Sequence, residues 1–462
     1  MKKLLSIKFG LFFVLATVLL MTFGIAYASA VQADTFNQGT QRLNANSSPG
    51  NETDSGAVSS LPPGNTLGNA RKAFAYWDAG GTNVNLDIDT NIGGGVTSNE
   101  LSFSMGSGTT GQAKVIWDGS TDVTTDQPDY DGLNVDLTSA NPENDAVYVK
   151  VLDADHQTSL MLTAFGGSAT NFGQKDIAIF GDGDLHRVDL VYRFVDFSEE
   201  GGWSNPSSWE NVGALQMDID GTIVDDLDIT IDEVGARPTE EVREYGDLPE
   251  LDPSNNPKYD EYQGAYHIPQ GLTLGYNLDG ESGPNPSRYA NGDNNNDFDD
   301  EDGVVAIDPE AWIADGSGTI QFRVNGCIGS CFVNGWIDWN NDGDFLDANE
   351  YVLQDFSRAG NYIRSLTVNY PSGTTEGWIY ARFRVCPTAA TCNDPAVAGV
   401  VNGEIEDYVW YIGGTPTAVN LQSFSADATS NNVLVGVTMG LAAVLLVGFV
   451  ALALRRQRHQ AE

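Results

Sequence analysis

Residues 146–151 read Ala-Val-Tyr-Val-Lys-Val. Three valines and a tyrosine in six residues, with polar stretches on both sides, predict a strand: β-branched and aromatic side chains pack well on a pleated surface. The chain repeats this signal in both directions. Before it, Asn83–Asp89 alternates polar and apolar side chains, and Lys114-Val115-Ile116-Trp117 runs into the turn pair Asp118-Gly119. After it come Leu190–Phe197, Val212–Ile219 and Leu227–Ile231, with Asp182-Gly183 as a further turn signal. Short strands at this spacing predict a sandwich or jelly roll. Pro238, Pro249, Pro253 and Pro257 then punctuate a polar stretch, which marks a boundary. A second series follows: Thr319–Val324, Phe332–Trp339, Tyr362–Asn369, Trp378–Val385 and Ile405–Ile412. The expected fold class is all-β: two β-sandwich or jelly-roll domains, with an N-terminal signal peptide and one C-terminal transmembrane helix.

The ends carry the topology. Lys2 and Lys3 precede an apolar run from Phe9 to Ile25, and Ala28-Ser29-Ala30 is a small-x-small cleavage site; residues 1–30 therefore read as a signal peptide. Val433 to Leu454 is 22 residues without a charge, long enough at about 1.5 Å per residue to cross the hydrocarbon core. Arg455-Arg456-Gln457-Arg458-His459 follows and marks the cytoplasmic side. The expected division is 1–30 signal peptide, 31–69 flexible leader rich in Asn, Ser, Gly, Thr and Pro, and 70–235 first β-sandwich. A linker at 236–246 leads to a second sandwich at 247–412. Then come a linker at 413–432, the span at 433–454 and a cytoplasmic basic tail at 455–462.

That topology reorganises the charge. The chain of 462 residues has a formal charge of −41. Six of its basic side chains lie at the two ends, so the middle carries 17 basic groups against 63 acidic ones. Such a polyanion repels phosphates, which excludes nucleic acid as a partner; it also excludes basic-patch docking on anionic lipid. Asp outnumbers Glu by 44 to 20, a bias toward turns and metal loops rather than helices. A hydrophobic content of 41% is sufficient for real cores, so the acidity does not imply disorder.

Two acidic clusters stand out. Asp338, Asn340 and Asp342 occupy positions 1, 3 and 5 of an EF-hand-like loop, Gly343 takes the turning position, and Asp344 follows. Alternate oxygens along a tight loop converge on a hard cation, and calcium accepts many of them whereas magnesium prefers water and a strict octahedron. Position 12 is Asn349, with Glu350 one further on, and the flanks read as strands. The expectation is a structural calcium loop between strands, not a helix-loop-helix sensor; a solvated Asp-Gly turn is the plain alternative. The second cluster spans 293–303 and offers Asp297, Asp299 and Asp302; an acidic loop without a metal fits it equally well. The four cysteines, Cys327, Cys331, Cys386 and Cys392, permit three pairings. Local pairs, Cys327 with Cys331 and Cys386 with Cys392, are expected because each brackets a Gly- or Pro-containing turn. Tetrahedral zinc is the alternative, and an exported chain favours disulfides.

Gly403-Glu404-Ile405-Glu406-Asp407-Tyr408 resembles the signature of GEVED domains of bacterial surface proteins, with Ile405 where Val is usual. Glu244-Tyr245-Gly246-Asp247-Leu248-Pro249 is similar to the opening segment of that family. His267, Leu274-Gly275, Asp279-Gly280-Glu281, the run from Asp299 to Val304, the run from Trp336 to Asp344 and Ala381–Val385 keep its order, over about 244–412. The resemblance implies an extracellular β-sandwich module of adhesin-like or cell-wall proteins, and it brings no catalytic residues. The cysteine pairs depart from the family pattern. Trp117-Asp118-Gly119, Asp131-Gly132-Leu133 and Asn211–Gln216 of the first segment look like jelly-roll modules of other exported bacterial proteins.

No nucleophile elbow, HExxH helix or phosphate loop appears, and the four His are isolated in sequence. The reading is a non-catalytic, membrane-anchored surface protein with calcium-stabilised sandwiches, acting in adhesion or envelope structure. Its partners would be an unknown surface ligand, either polysaccharide or another envelope protein, and the lipid bilayer through 433–454. Carbohydrate binding is the rival, with Trp203 and Trp209 in a Gly/Ser/Pro-rich loop as candidate exposed stacking residues; a secreted glycoside-processing enzyme is the lesser alternative.

Overall fold

A computed structural model describes residues 31–413, apart from 49–50, 60, 62–65, 89–98, 140–142, 182–186, 250–258, 260–261, 263, 293–299 and 375. The signal peptide at 1–30, the span at 433–454 and the tail at 455–462 lie outside the described residues. So does the linker beyond Gly413.

The first sandwich consists of two antiparallel sheets. One runs Val188–Arg193, Ala146–Ala154, Asp228–Arg237, Leu101–Met105, Asn83–Ile88, Gln41–Asn46, with Val31–Asp34 also paired to Asp228–Arg237. The other runs Ser198–Glu200, Asn171–Ile179, Thr158–Ser168, Ala214–Gly221, Thr109–Trp117, Ala70–Gly80, Thr53–Ser59. Their inner faces follow the period of two that a pleated strand imposes. In Asn83–Ile88, Val84, Leu86 and Ile88 are fully buried and the residues between them are not.

Residues 31–69 are not a leader. Val31–Asp34, Gln41–Asn46 and Thr53–Ser59 belong to the two sheets. The polar composition had a simpler cause: Gln41, Leu43 and Ala45 point inward while Arg42 and Asn44 face outward. Asp34 fixes this segment. It is 1% exposed and accepts from Arg71 Nη1 at 2.7 Å, Trp117 Nε1 at 2.9 Å and the Phe36 amide at 2.9 Å.

The second region has a sheet centred on Gly318–Asn325, flanked by Tyr362–Val368 on one edge and by Val304–Ile307 and Thr273–Leu274 on the other. It faces a sheet in the order Tyr351–Ala359, Ser330–Asp338, Gly377–Cys386, Glu404–Ile412. Between them lie Val304, Trp312, Phe322, Val333, Ile337, Phe383, Trp410 and Ile412. The outer face of the second sheet is covered as well, by Leu248, Tyr259, Tyr262 and Phe345 against Trp336 and Tyr380. Both local cysteine pairs are disulfides.

The passage at 236–246 is packed rather than loose: Val242 is 1% exposed and Glu244 is 1% exposed. The opening strand Ala146–Ala154 explains why. Val147, Val149 and Val151 point into the first core, while Ala146 and Tyr148, on the other face, pack with Val191 against Val242 and Ile268. The free edge of Val188–Arg193 is closed by the following chain, since the Asp189 amide donates to Leu278 O at 2.8 Å and the Val191 amide to Pro269 O at 2.9 Å. Covering an edge in this way removes a template for aggregation.

Candidate metal centre

The loop expected to bind calcium starts where strand Ser330–Asp338 ends. Asp338 is fully buried. Its Oδ1 accepts from the Asp342 amide at 3.2 Å, and its Oδ2 accepts from the Gly343 amide at 3.0 Å and the Tyr259 hydroxyl at 2.5 Å. The turn needs Gly343, whose φ of 99° lies in the left-handed region that side chains disfavour. Asn340 Oδ1 accepts from the Asp342 amide at 3.0 Å, and Asn340 Nδ2 donates to Asp342 Oδ2 at 3.0 Å and to Asp347 Oδ2 at 2.6 Å. Asp344 Oδ1 accepts from the Leu346 amide at 2.9 Å, so its carboxylate turns along the loop.

Glu350, rather than Asn349, returns to the start of the loop. The Ile337 amide donates to Glu350 O at 2.9 Å, and Trp336 pairs with Tyr351. Glu350 is 1% exposed; its Oε2 accepts from the Asp347 amide at 3.0 Å, and its Oε1 has no hydrogen-bond partner. Burial first, then the fields of Asp338, Asp342 and Asp347, push its carboxyl up to about 7. Burial also raises Asp338, against the opposing hydrogen bonds of Tyr259 and Gly343. Beside the loop is a cleft of about 450 Å³ with Trp339, Asn340, Asp347 and Glu350 on one wall and Pro371–Thr374 on the other. Among the described residues, no three Asp, Glu, His or Cys side chains already converge as a metal shell.

Only part of the second expected cluster is among the described residues. Asp297 and Asp299 lie outside the described residues. Asp302 accepts from the Tyr276 amide at 2.8 Å and from Asn277 Nδ2 at 2.9 Å, next to Glu404 and Glu406, whose carboxyls are raised by burial first and by the field of Asp302 among other carboxylates. Glu404 and Glu406 point inward, on the same face as Tyr408, Trp410 and Ile412, which line the second core. The period of two through Ile412 was the signal for this. Across the same strand, Asp407 faces the opposite side and holds the buried Arg382 by two contacts, at 2.8 and 2.7 Å.

Trp203 and Trp209 are not exposed stacking residues. They are 3% and 0% exposed, meet edge to face at 5.4 Å, and both donate Nε1 to Asn205 Oδ1, at 2.9 and 3.1 Å. Trp209 also stacks on Phe194 at 4.1 Å. The small residues of that loop give it a tight path back over the core, with a 3-10 turn at Ser207–Asn211. An exposed indole is found elsewhere: Trp378 is 50% exposed and lies edge to face with its cross-strand partner Tyr411 at 5.2 Å.

No curated protein matches the chain in sequence. Among solved structures, a family 11 carbohydrate-binding module of a cellulosomal cellulase of Clostridium thermocellum is 10% identical, covering 43% of this chain and 95% of its own, with a TM-score of 0.19. A β-1,2-glucanase from Parabacteroides distasonis is 7% identical over 84% of this chain and 39% of its own, with a TM-score of 0.22. An exo-β-agarase is 12% identical over 36% of this chain and 23% of its own, with a TM-score of 0.20. Likenesses at these scores carry no argument about what this chain does. The sequence match is local: residues 332–411, which contain the Asp338 loop and all but the last residue of the Glu404–Ile412 strand, match the GEVED domain.

Proposed function

We propose that this chain is an exported surface protein, anchored in the membrane through 433–454, whose second sandwich holds calcium at the Asp338–Glu350 loop and which serves adhesion or envelope structure without catalysis. The observation that carries the calcium reading is Glu350 Oε1, buried without a partner beside the fully buried Asp338. Like charges at close range oppose each other's ionisation unless a cation separates them. Asp338, Asp342 and Glu350, with oxygens of Asn340 and Asp344, would have to close further around an ion to supply the all-oxygen donor set that suits a hard cation accepting about six to eight oxygens. The ion would fix the loop and the strand ends on either side, a structural role rather than a switch. The test is thermal melting of the full chain in detergent with calcium and with chelator. The expected result is a higher midpoint with calcium in the wild type and a reduced response in Asp338→Asn and in Glu350→Gln. An equal response in wild type and both variants overturns the loop assignment.

A second reading, carbohydrate binding, is favoured by one observation: the indole of Trp378 faces solvent beside Tyr411. An exposed aromatic face of this kind can stack on a sugar ring. Retention on a panel of polysaccharides that is lost in Trp378→Ala would support it, and no retention by the wild type would remove it.

A further inference from the structure

Glu404 and Glu406 are each 1% exposed. One oxygen of each is tied down: the Leu274 amide donates to Glu404 Oε2, and the Gly303 amide donates to Glu406 Oε1 at 2.8 Å, with the Tyr408 hydroxyl and the Asp302 amide also hydrogen-bonded to the Glu406 carboxylate. The other oxygen of each, Glu404 Oε1 and Glu406 Oε2, is buried with no hydrogen-bond partner. No lysine, arginine or histidine pairs with either glutamate among the described residues. The nearby guanidinium groups belong to the opposite face, where Arg382 holds Asp407 and Arg384 donates to His267. The groups whose fields act on Glu404 are carboxylates: Glu406, Glu244, Asp300 and Asp302.

Neither ordinary state of these two side chains accounts for the arrangement. Two ionised carboxylates inside a core, each with an orphaned oxygen, carry a large uncompensated desolvation cost. Protonation does not remove the difficulty, because a carboxylic acid is a hydrogen-bond donor and needs an acceptor. No hydrogen bond links the two glutamates, and the orphaned oxygens have none to any other group. A cation between them answers both problems.

We propose that Glu404 and Glu406 are ligands of a divalent cation, calcium, held inside the second sandwich beside Asp302. This site stands independently of the Asp338 loop: its ligands lie on the inward face of the Glu404–Ile412 strand and meet the loop that precedes Val304. The hard oxygens and the excess of negative charge select calcium over a soft metal, and backbone carbonyls and water complete the coordination. The acidic signature is then a metal-binding strand, and Leu274 and Gly303 orient its two carboxylates from the neighbouring loops.

The test uses the full chain in detergent, stripped with chelator and dialysed against calcium. The bound metal is counted per chain for wild type, for Glu404→Gln/Glu406→Gln and for Asp338→Asn/Glu350→Gln. The expected result is that the signature-strand variant loses one ion and the loop variant keeps that ion. A signature-strand variant that folds and binds as much calcium as wild type overturns the proposal. A second measurement needs no variant. Hydrogen exchange at the Leu274 and Gly303 amides of the wild type is followed with and without calcium. At calcium about a hundredfold above its Kd, opening that releases the ion becomes about 100-fold rarer, and exchange at these amides slows accordingly. Unchanged exchange there overturns the site. Slowing confined to the Asp342 and Gly343 amides leaves the loop reading standing and this one not.

Discussion

The two sandwiches treat buried carboxylates differently. In the first, Asp34 and Asp118 are matched from within, and only Asp189, at the boundary with the second, keeps an oxygen without a partner among the described residues. Asp34 faces Arg71 at 2.7 Å, and Asp118 faces Lys72 at 2.6 Å while also accepting from the Asp129 and Ser120 amides at 2.7 and 2.9 Å. In the second, Asp407 is matched by Arg382, but Glu350, Glu404 and Glu406 each keep an oxygen with no partner. The difference teaches that one fold class can close its charge balance with its own side chains or leave buried carboxylate oxygens unmatched by them. The first region is expected to be indifferent to divalent cations and the second to depend on them.

The strongest way to break this comparison is to unbalance the first region. Arg71→Ala leaves Asp34 buried and unpaired, and a loss of about 3–5 kcal/mol is expected. Urea unfolding checks it, and the loss should be the same with calcium and with chelator. Next, removing calcium from the wild type should cost about 3 kcal/mol for each occupied site relative to calcium at a hundredfold above its Kd, with the loss appearing first in the amides of 300–412. If both regions lose protection equally and in parallel, the contrast between them fails.

A smaller effect concerns Asp189, which is buried where the two regions meet and accepts from the Gly280 amide at 3.2 Å. Burial, opposed by Arg187 and Tyr148 and reinforced by Asp279, raises its carboxyl to about 6 from an ordinary 3.8. The folded state therefore holds this proton more tightly than the unfolded chain does. Its contribution to stability is complete below about pH 4 and is lost as pH rises through 6, on the order of 3 kcal/mol. Denaturation midpoints across that window should show the slope in wild type and a flatter profile in Asp189→Asn. The smallest expected effect is Trp378→Ala, a surface change that should move stability by no more than about 0.5 kcal/mol. Thermal melting of that variant reads this directly.

Much of the fold was legible because burial in a sheet writes a period of two. The valines of Ala146–Ala154 and the alternation in Asn83–Ile88 identified central strands directly. Gln41–Asn46 was hidden because its outward residues are polar and its inward set is one Leu, one Ala and one Gln. The tryptophans at 203 and 209 were misplaced because Gly, Ser and Pro report how tightly a loop turns and not what it covers. For the acidic loop, spacing located Asp338, Asn340 and Asp342, but the return of Glu350 depends on strand register, which no local spacing contains. For Glu404 and Glu406 the shared face was readable. Their depth was not, because it is set by Leu274 and Gly303, more than a hundred residues earlier.

Strand Ala146–Ala154 serves two cores at once. Ala146 and Tyr148 serve a different core from Val147 and Val149. Cutting the chain near residue 240 would leave Tyr148 and Val191 on one fragment and Ile268 on the other, each facing water. The two sandwiches are therefore a poor unit for recombination: a piece transplanted alone would carry a sticky wound where its neighbour had been, and inheritance of the pair as a single block avoids it.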